Sequence, residues 1–169
     1  MSTAPTTPFS GRYLTLEEMV TERQRLKAAG KRLVFTNGCF DILHLGHATY
    51  LAWARAQGDA LVVAINTDAS VRRNKGPKRP IVGQDDRAAL LLALRCVDYV
   101  VIFDDDTPLG LISALLPDVL VKGSDWAGRV VGANVVEALG GCGRLAELVP
   151  GHSTTGVIER ALDVYGARS

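Results

Sequence analysis

Five short apolar runs, at residues 33–36, 61–65, 99–103, 119–121 and 145–149, alternate with longer stretches of helical character, and this alternation constrains the fold more than any other feature of the chain. Short runs that are apolar throughout, not at every second position, belong to strands covered on both faces, as in parallel sheets wrapped by crossover helices. The intervening stretches read as helices at 46–57, 85–95, 108–116, 133–139 and 153–165. Pro108 behind Thr107 suits a first helical turn, and Gly140-Gly141 close the stretch at 133–139. An earlier helix at 15–29 is announced by Thr15 with Glu18 three residues on, a capping box, and is stopped by Gly30. The pattern predicts an α/β, doubly wound, Rossmann-like parallel sheet of five strands with helices on both faces. A chain of 169 residues that is 47% hydrophobic is enough for one domain, expected at 12–169, that buries roughly 70% of its unfolded surface.

The remaining bulk properties exclude several classes. A net charge of +1 offers no global attraction for nucleic acid or an acidic membrane, so anion binding has to be local. Cys39, Cys96 and Cys142 form no CxxC pair, which argues against a zinc ribbon or a disulfide framework and fits reduced thiols in a cytoplasmic protein. No run approaches 18 apolar residues, and the polar segment 1–11 (MSTAPTTPFSG) reads as a disordered leader, not a signal peptide.

Chemistry concentrates after the first strand, in TNGCFDILHLGHATYL. In open α/β sheets ligands bind beyond the carboxyl ends of the strands, and a helix N-terminus there is a natural anion site. His44 and His47, three residues apart, share a helix face. They suit phosphate, or a metal, although HExxH and a third ligand at a familiar spacing are missing. His152 can face the same pocket. The stretch 72–84 (RRNKGPKRPIVGQ) has no periodicity and five cations, and is expected to be a functional, mobile loop or a merely solubilising one. No GxGxxG follows the first strand, which excludes a dehydrogenase.

TNGCFDILHLGH resembles the HxGH signature of the nucleotidyltransferase superfamily, and GHSTTGVIER at 151–160 resembles the STT segment that opens the last helix in the same superfamily. The likeness extends over 34–162. AINTDASVRRNKGPKRPI, QDDRAALLLALRCVDYVVIFDDDTP and PDVLVKGSDW are similar to D-glycero-β-D-manno-heptose 1-phosphate adenylyltransferases, here without a sugar-kinase half. The resemblance implies transfer of AMP from ATP to heptose 1-phosphate, giving ADP-heptose for lipopolysaccharide, with substrate-bound Mg²⁺. It further implies a homodimer and a separate heptose 7-phosphate kinase, and no nucleic-acid or membrane partner.

By the same resemblance His44, His47 and Lys75 are the catalytic residues, with His47 nearer the bridging oxygen where leaving-group charge develops. Asn37, Gly38, Cys39 and Phe40 line the α-phosphate, and Gly46 lets the backbone approach. Arg87, Lys122, Gly123, Asp125 and Trp126 meet the nucleotide, Trp126 being equally well a packing residue. Ser153, Thr154 and Thr155 hold the β- and γ-phosphates, and Asp68 and Arg79 meet the acceptor. Asp41 orients the turn or simply caps it. The runner-up reading is a cytidylyltransferase acting on glycerol 3-phosphate or a similar small ester, and a different class is a nucleotide-sensing domain without turnover.

Overall fold

The structure, a computed structural model, describes residues 9–166. The expected leader at 1–11 falls mostly outside the described residues. Six strands form one parallel sheet in the order β1-β4-β3-β2-β5-β6. They are β1 (Arg12–Tyr13), β2 (Leu33–Gly38), β3 (Ala60–Asn66), β4 (Tyr99–Phe103), β5 (Val119–Gly123) and β6 (Cys142–Ala146). The helices are α1 (Leu16–Ala28), α2 (Leu45–Arg55), α3 (Asp68–Lys75), α4 (Gln84–Leu92), α5 (Leu109–Leu115), α6 (Ala133–Ala138) and α7 (Thr154–Tyr165).

The unbroken apolar runs are explained by burial on two sides. Leu33, Phe35, Val62 and Ala64 turn to one face, where Met19 and Leu26 of α1, Leu111, Ile112 and Leu115 of α5 and Val136 of α6 cover them. Val34, Leu61, Val63 and Ile65 turn to the other, against Leu51 and Ala54 of α2 and Leu91 and Leu92 of α4. Side chains alternate across a strand, so one apolar run feeds both layers. The capping box at Thr15 and Glu18 is present in both directions, at 2.8 and 3.2 Å.

Three elements differ from the sequence expectation. The sheet has six strands, not five, because Arg12 and Tyr13 pair with Tyr99 and Val100 of β4, a two-residue strand too short to carry a pattern. The last strand lies at Cys142–Ala146, not at 145–149, paired from Val119↔Cys142 to Gly123↔Ala146. Gly141 fixes that register, since a Cβ there would stand 2.5 Å from Val136 and 3.0 Å from the Asp118 carbonyl. An edge strand with one open side needs no continuous apolar run. Finally, Lys75 is not in a loop: residues 68–75 are helical, capped by the Thr67 hydroxyl, which accepts from Ser70 N at 3.0 Å. Only Ser70 and Val71 of α3 are buried, too few to show a helical period.

Strand β2 sits between β3 and β5, and the chain leaves it in one direction and returns on the other side. That reversal opens a crevice at the carboxyl ends of β2 and β5.

Candidate active site

β2 ends at Gly38, and the turn into α2 is tight: Phe40 adopts a left-handed φ of 47°. Its ring lies 5.1 Å from that of His47, and an added Cβ on Gly38 would meet that Phe40 ring at 3.0 Å. His44 is the N-cap residue of α2 but makes no side-chain cap bond. Its ring instead stacks on that of His47, with centroids 3.8 Å apart and planes 21° off parallel. Gly46 makes this possible, because a Cβ there would press at 3.0 Å on the His44 ring and at 3.2 Å on His152 Cβ. All three histidines line one cavity of about 780 Å³.

Burial lowers the pKa of both imidazoles of the pair and so favours their neutral forms. It pushes His47 down to about 4, with the charge of His44 acting the same way and the nearby Ile42 backbone opposing. Burial also lowers His44, helped by His152. Among the described residues, the buried side-chain polar atoms without a partner are Asn37 Oδ1, His44 Nδ1 and His47 Nδ1. All three belong to residues that line the cavity. Buried polar groups left open in one place mark a site whose hydrogen bonds a ligand completes.

Cations surround the histidines. Lys122, at the end of β5, is 8% exposed and donates from Nζ to the Asn37 carbonyl at 3.0 Å. Its ammonium lies 4.9 Å from the centroid of the Trp126 ring, and burial draws its pKa down to about 8. Lys75 enters from the last turn of α3 and Arg79 from the loop after it. Asp41, 1% exposed, ties that loop to the β2–α2 turn, accepting from Arg79 Nε at 2.5 Å and from the Ile81 and Val82 amides at 2.8 Å. Those bonds hold its carboxyl below the usual range against the opposing effect of burial. On the far side, the Ser153 hydroxyl caps α7 by accepting from Gly156 N at 3.0 Å, while Thr154 and Thr155 line the cavity at a helix end whose first amides have no helical partner.

The structure thus gathers His44, His47, Lys75, Asn37, Gly38, Cys39, Phe40, Gly46, Arg79, Lys122, Gly123, Asp125, Trp126, Ser153, Thr154 and Thr155 around one space. It does not bring Arg87 or Asp68 to that wall. Arg87 is 0% exposed and its guanidinium is consumed within the protein. It donates to the carbonyls of Val82 at 3.0 Å, Cys39 at 2.6 Å and Asn66 at 2.8 Å, and to Asp68 Oδ1 at 2.8 Å. Both residues therefore clamp the strand ends that carry the site. Asn66, Asn74, Asp106, Thr107, Tyr50, Leu148 and Val149 also line the cavity and had not been singled out. The strand-end rule reaches Asn66, Asp106 and Thr107, which end or follow β3 and β4. Tyr50 lies three residues past His47, its hydroxyl between the Thr36 hydroxyl at 2.6 Å and the Val121 carbonyl at 3.1 Å.

No group of three His, Cys, Asp or Glu side chains gathers to cage a metal among the described residues. Mg²⁺, a hard ion that takes oxygen ligands and keeps several waters, would be held in such a cavity mainly by phosphate oxygens and water. No helix among the described residues is long and apolar enough to cross a membrane.

Residues 35–163 match the family described as cytidylyltransferase-like. The bifunctional protein HldE of Geobacter sulfurreducens is 59% identical over 141 residues, covering 83% of this chain and 29% of that protein. HldE of Campylobacter concisus is 56% identical over 149 residues, covering 88% of this chain and 30% of its own length. The chain therefore spans less than a third of these relatives. A lipopolysaccharide core biosynthesis protein from Thermoplasma volcanium superposes with a TM-score of 0.58 at 30% identity, over 71% of this chain and 98% of that one. A pantoate-beta-alanine ligase from Francisella tularensis shares the fold, with a TM-score of 0.58 at 13% identity over 92% of this chain and 78% of that one. With the family match running from the middle of β2 nearly to the end of α7, across every element that lines the cavity, this chain belongs to the cytidylyltransferase-like family.

Proposed function

We propose that this chain is a nucleotidyltransferase that moves the adenylyl group of ATP onto D-glycero-β-D-manno-heptose 1-phosphate, releasing pyrophosphate and forming ADP-heptose for the lipopolysaccharide core. The observation that carries the reading is the stacked histidine pair whose buried Nδ1 atoms lack partners inside a cavity ringed by Lys75, Arg79 and Lys122. A neutral imidazole keeps one N–H to donate, and an arriving polyphosphate favours the second proton as well.

The chemistry asks little else of the protein. An acceptor phosphate, with a second pKa of about 6, is already ionised at pH 7 and needs no general base. Its oxygen attacks the α-phosphorus and pyrophosphate leaves, so the work is alignment and the neutralisation of crowded charge. His47, the more deeply buried of the pair, donates toward the leaving bridging oxygen, and His44 holds the neighbouring phosphate. Thr154, Thr155 and the open amides of α7 take the β- and γ-phosphates. Lys75 and Arg79 meet the transferring and acceptor phosphates. Trp126, Leu148 and Val149 offer flat and apolar surface to the base. Mg²⁺ bound to the triphosphate would supply further charge neutralisation.

The relatives' printed name, bifunctional, and their much greater length support a second activity in the rest of those proteins. A kinase acting on heptose 7-phosphate would then give a heptose 1,7-bisphosphate, from which hydrolysis of the 7-phosphate by a phosphatase leaves the acceptor, in the cytoplasm, and the working form is a homodimer. Pyrophosphate release with ATP, Mg²⁺ and heptose 1-phosphate tests the reading. Far less release is expected with CTP, and equal or better turnover with CTP and glycerol 3-phosphate would overturn it.

A further inference from the structure

The two ends of the cavity differ in chemistry. Toward β5 and β6 the wall carries Trp126, Val131, Leu148 and Val149 beside the Lys122 and Asp125 charges. Toward β3 and β4 it carries Asn66, Asn74, Asp106 and Thr107. Asn66 ends β3, Asn74 lies in the last turn of α3, and Asp106 and Thr107 occupy the turn between β4 and α5. None of these four was assigned a role by the motifs.

Asp106 is the informative member. A carboxylate only accepts hydrogen bonds and repels phosphate, so each one on the wall needs a reason. Asp41 is spent on Arg79 and the Ile81 and Val82 amides and Asp125 stands near the Lys122 ammonium, whereas the cation that holds Asp106, Arg73, lies off the wall. Asp106 is nevertheless held in position: Arg73 Nε donates to Oδ1 at 3.2 Å, and the same guanidinium also bonds the Asp104 carbonyl. With its side chain 73% exposed, Asp106 remains accessible to a ligand on the cavity side. A second, separate acceptor makes the same demand. Asn37 Oδ1, buried at the end of β2, has no donor within the protein, and no phosphate oxygen can supply one. Hydroxyl groups can, and they also accept from the amide N–H groups of Asn74 and the hydroxyl of Thr107.

We propose that the β3–β4 end of the cavity is a polyol-binding subsite, in which Asp106, Asn74 and Thr107 grip the hydroxyls of a sugar phosphate and so select a polyhydroxylated acceptor over simple phosphate esters. The inference rests on the nucleotidyl-transfer reading above and adds the class of group that this end of the cavity recognises.

The test is a set of single substitutions followed by steady-state kinetics with each substrate varied in turn. D106A raises the KM for heptose 1-phosphate about ten- to a hundredfold, the loss expected for hydrogen bonds to a charged group, and leaves the KM for ATP within about twofold. D106N recovers part of the loss and N74A shows a smaller one. R73A serves as the structural control: if Asp106 acts only by anchoring Arg73 and its turn, R73A reproduces the D106A defect in full. That result, an unchanged acceptor KM, or an equal rise in the KM for ATP overturns the subsite. Calorimetric titration of heptose 1-phosphate onto protein loaded with α,β-methylene ATP separates the two levels of argument. A wild-type protein that binds the sugar phosphate without turnover refutes the reaction, and weaker binding by D106A still supports the subsite. A wild-type protein that binds none refutes the subsite.

Discussion

Replacing Arg87 distinguishes a structural clamp from a nucleotide contact. Its side chain is fully buried and satisfies three backbone carbonyls, those of Cys39, Asn66 and Val82, besides the Asp68 carboxylate. Arg87→Met keeps most of the apolar stem and removes every donor. Each carbonyl left dry would cost about 1–3 kcal/mol, with the low end favoured for those of Cys39 and Val82, whose bonds are only partly buried, and not for that of Asn66. Asp68 is 28% exposed and so regains hydration when its partner goes. The sum is about 3–5 kcal/mol, the usual loss when one partner of a buried pair is removed. For a domain of this size that lowers Tm by roughly 6–20 °C. Arg87→Lys, which retains the charge and fewer donors, should fall roughly halfway, and Asp68→Asn should lower Tm by a few degrees in the same direction. Thermal and urea unfolding give the stabilities, and titration with an ATP analogue gives nucleotide affinity on the same samples. Affinity losses should scale with the loss of stability. A variant that keeps its Tm within about 2 °C while its KM for ATP rises tenfold or more would refute the clamp and return Arg87 to the nucleotide.

Three further outcomes follow from the geometry. His47, lowered by burial from 6.5 to about 4, contributes stability that is fully present above pH 6.5 and is lost as pH falls from 6.5 to 4. The difference of about 2.5 units corresponds to at most about 3 kcal/mol, so urea midpoints should drop over that window, and a profile for His47→Gln as steep as wild type would be contrary to the argument. Gly46→Ala places a methyl at 3.0 Å from the His44 ring, so binding of an ATP analogue should weaken at least tenfold with Tm unchanged or slightly raised, and wild-type affinity would contradict the crowding. Lys122 loses its charge as pH rises through about 8, so kcat/KM for ATP should decline there. Lys122→Met should remove that decline together with roughly tenfold or more of activity, and an unaltered pH profile would exclude Lys122 from nucleotide binding.

The layered fold was legible because its cause is local. Val34, Leu61 and Val63 alternate with Phe35 and Val62 along strands buried on both faces, and any sheet that hides both sets must be covered by helices twice. The HLGH segment was legible for a similar reason, since spacing alone puts its two histidines together at a helix start, while the STT segment was marked by its resemblance to a family signature. α3 was not, since its eight residues bury only two side chains and leave no apolar period. Nor was the register of β6, which depends on Gly141 fitting beneath Val136 and the Asp118 carbonyl.

Arg87, Asp41 and Asp106 mark the boundary most clearly. The resemblance sends Arg87 to the nucleotide, while the fold surrounds it with carbonyls from three separated segments and the Asp68 carboxylate, which take four of its five N–H groups. Asp41 reads as either a cap or an orienting group until the loop that follows α3 folds back onto it. Asp106 is one of three consecutive aspartates, Asp104 to Asp106, and only the crossing from β4 to α5 turns this one to the cavity wall. By itself the sequence determined the layers and the polar helix starts, because those depend on neighbours in the chain, and the resemblance of its motifs to a known family supplied the kind of chemistry. Which charged groups face a ligand and which brace the walls was decided by tertiary contacts between segments tens of residues apart, where burial and competing hydrogen bonds assign each donor its partner.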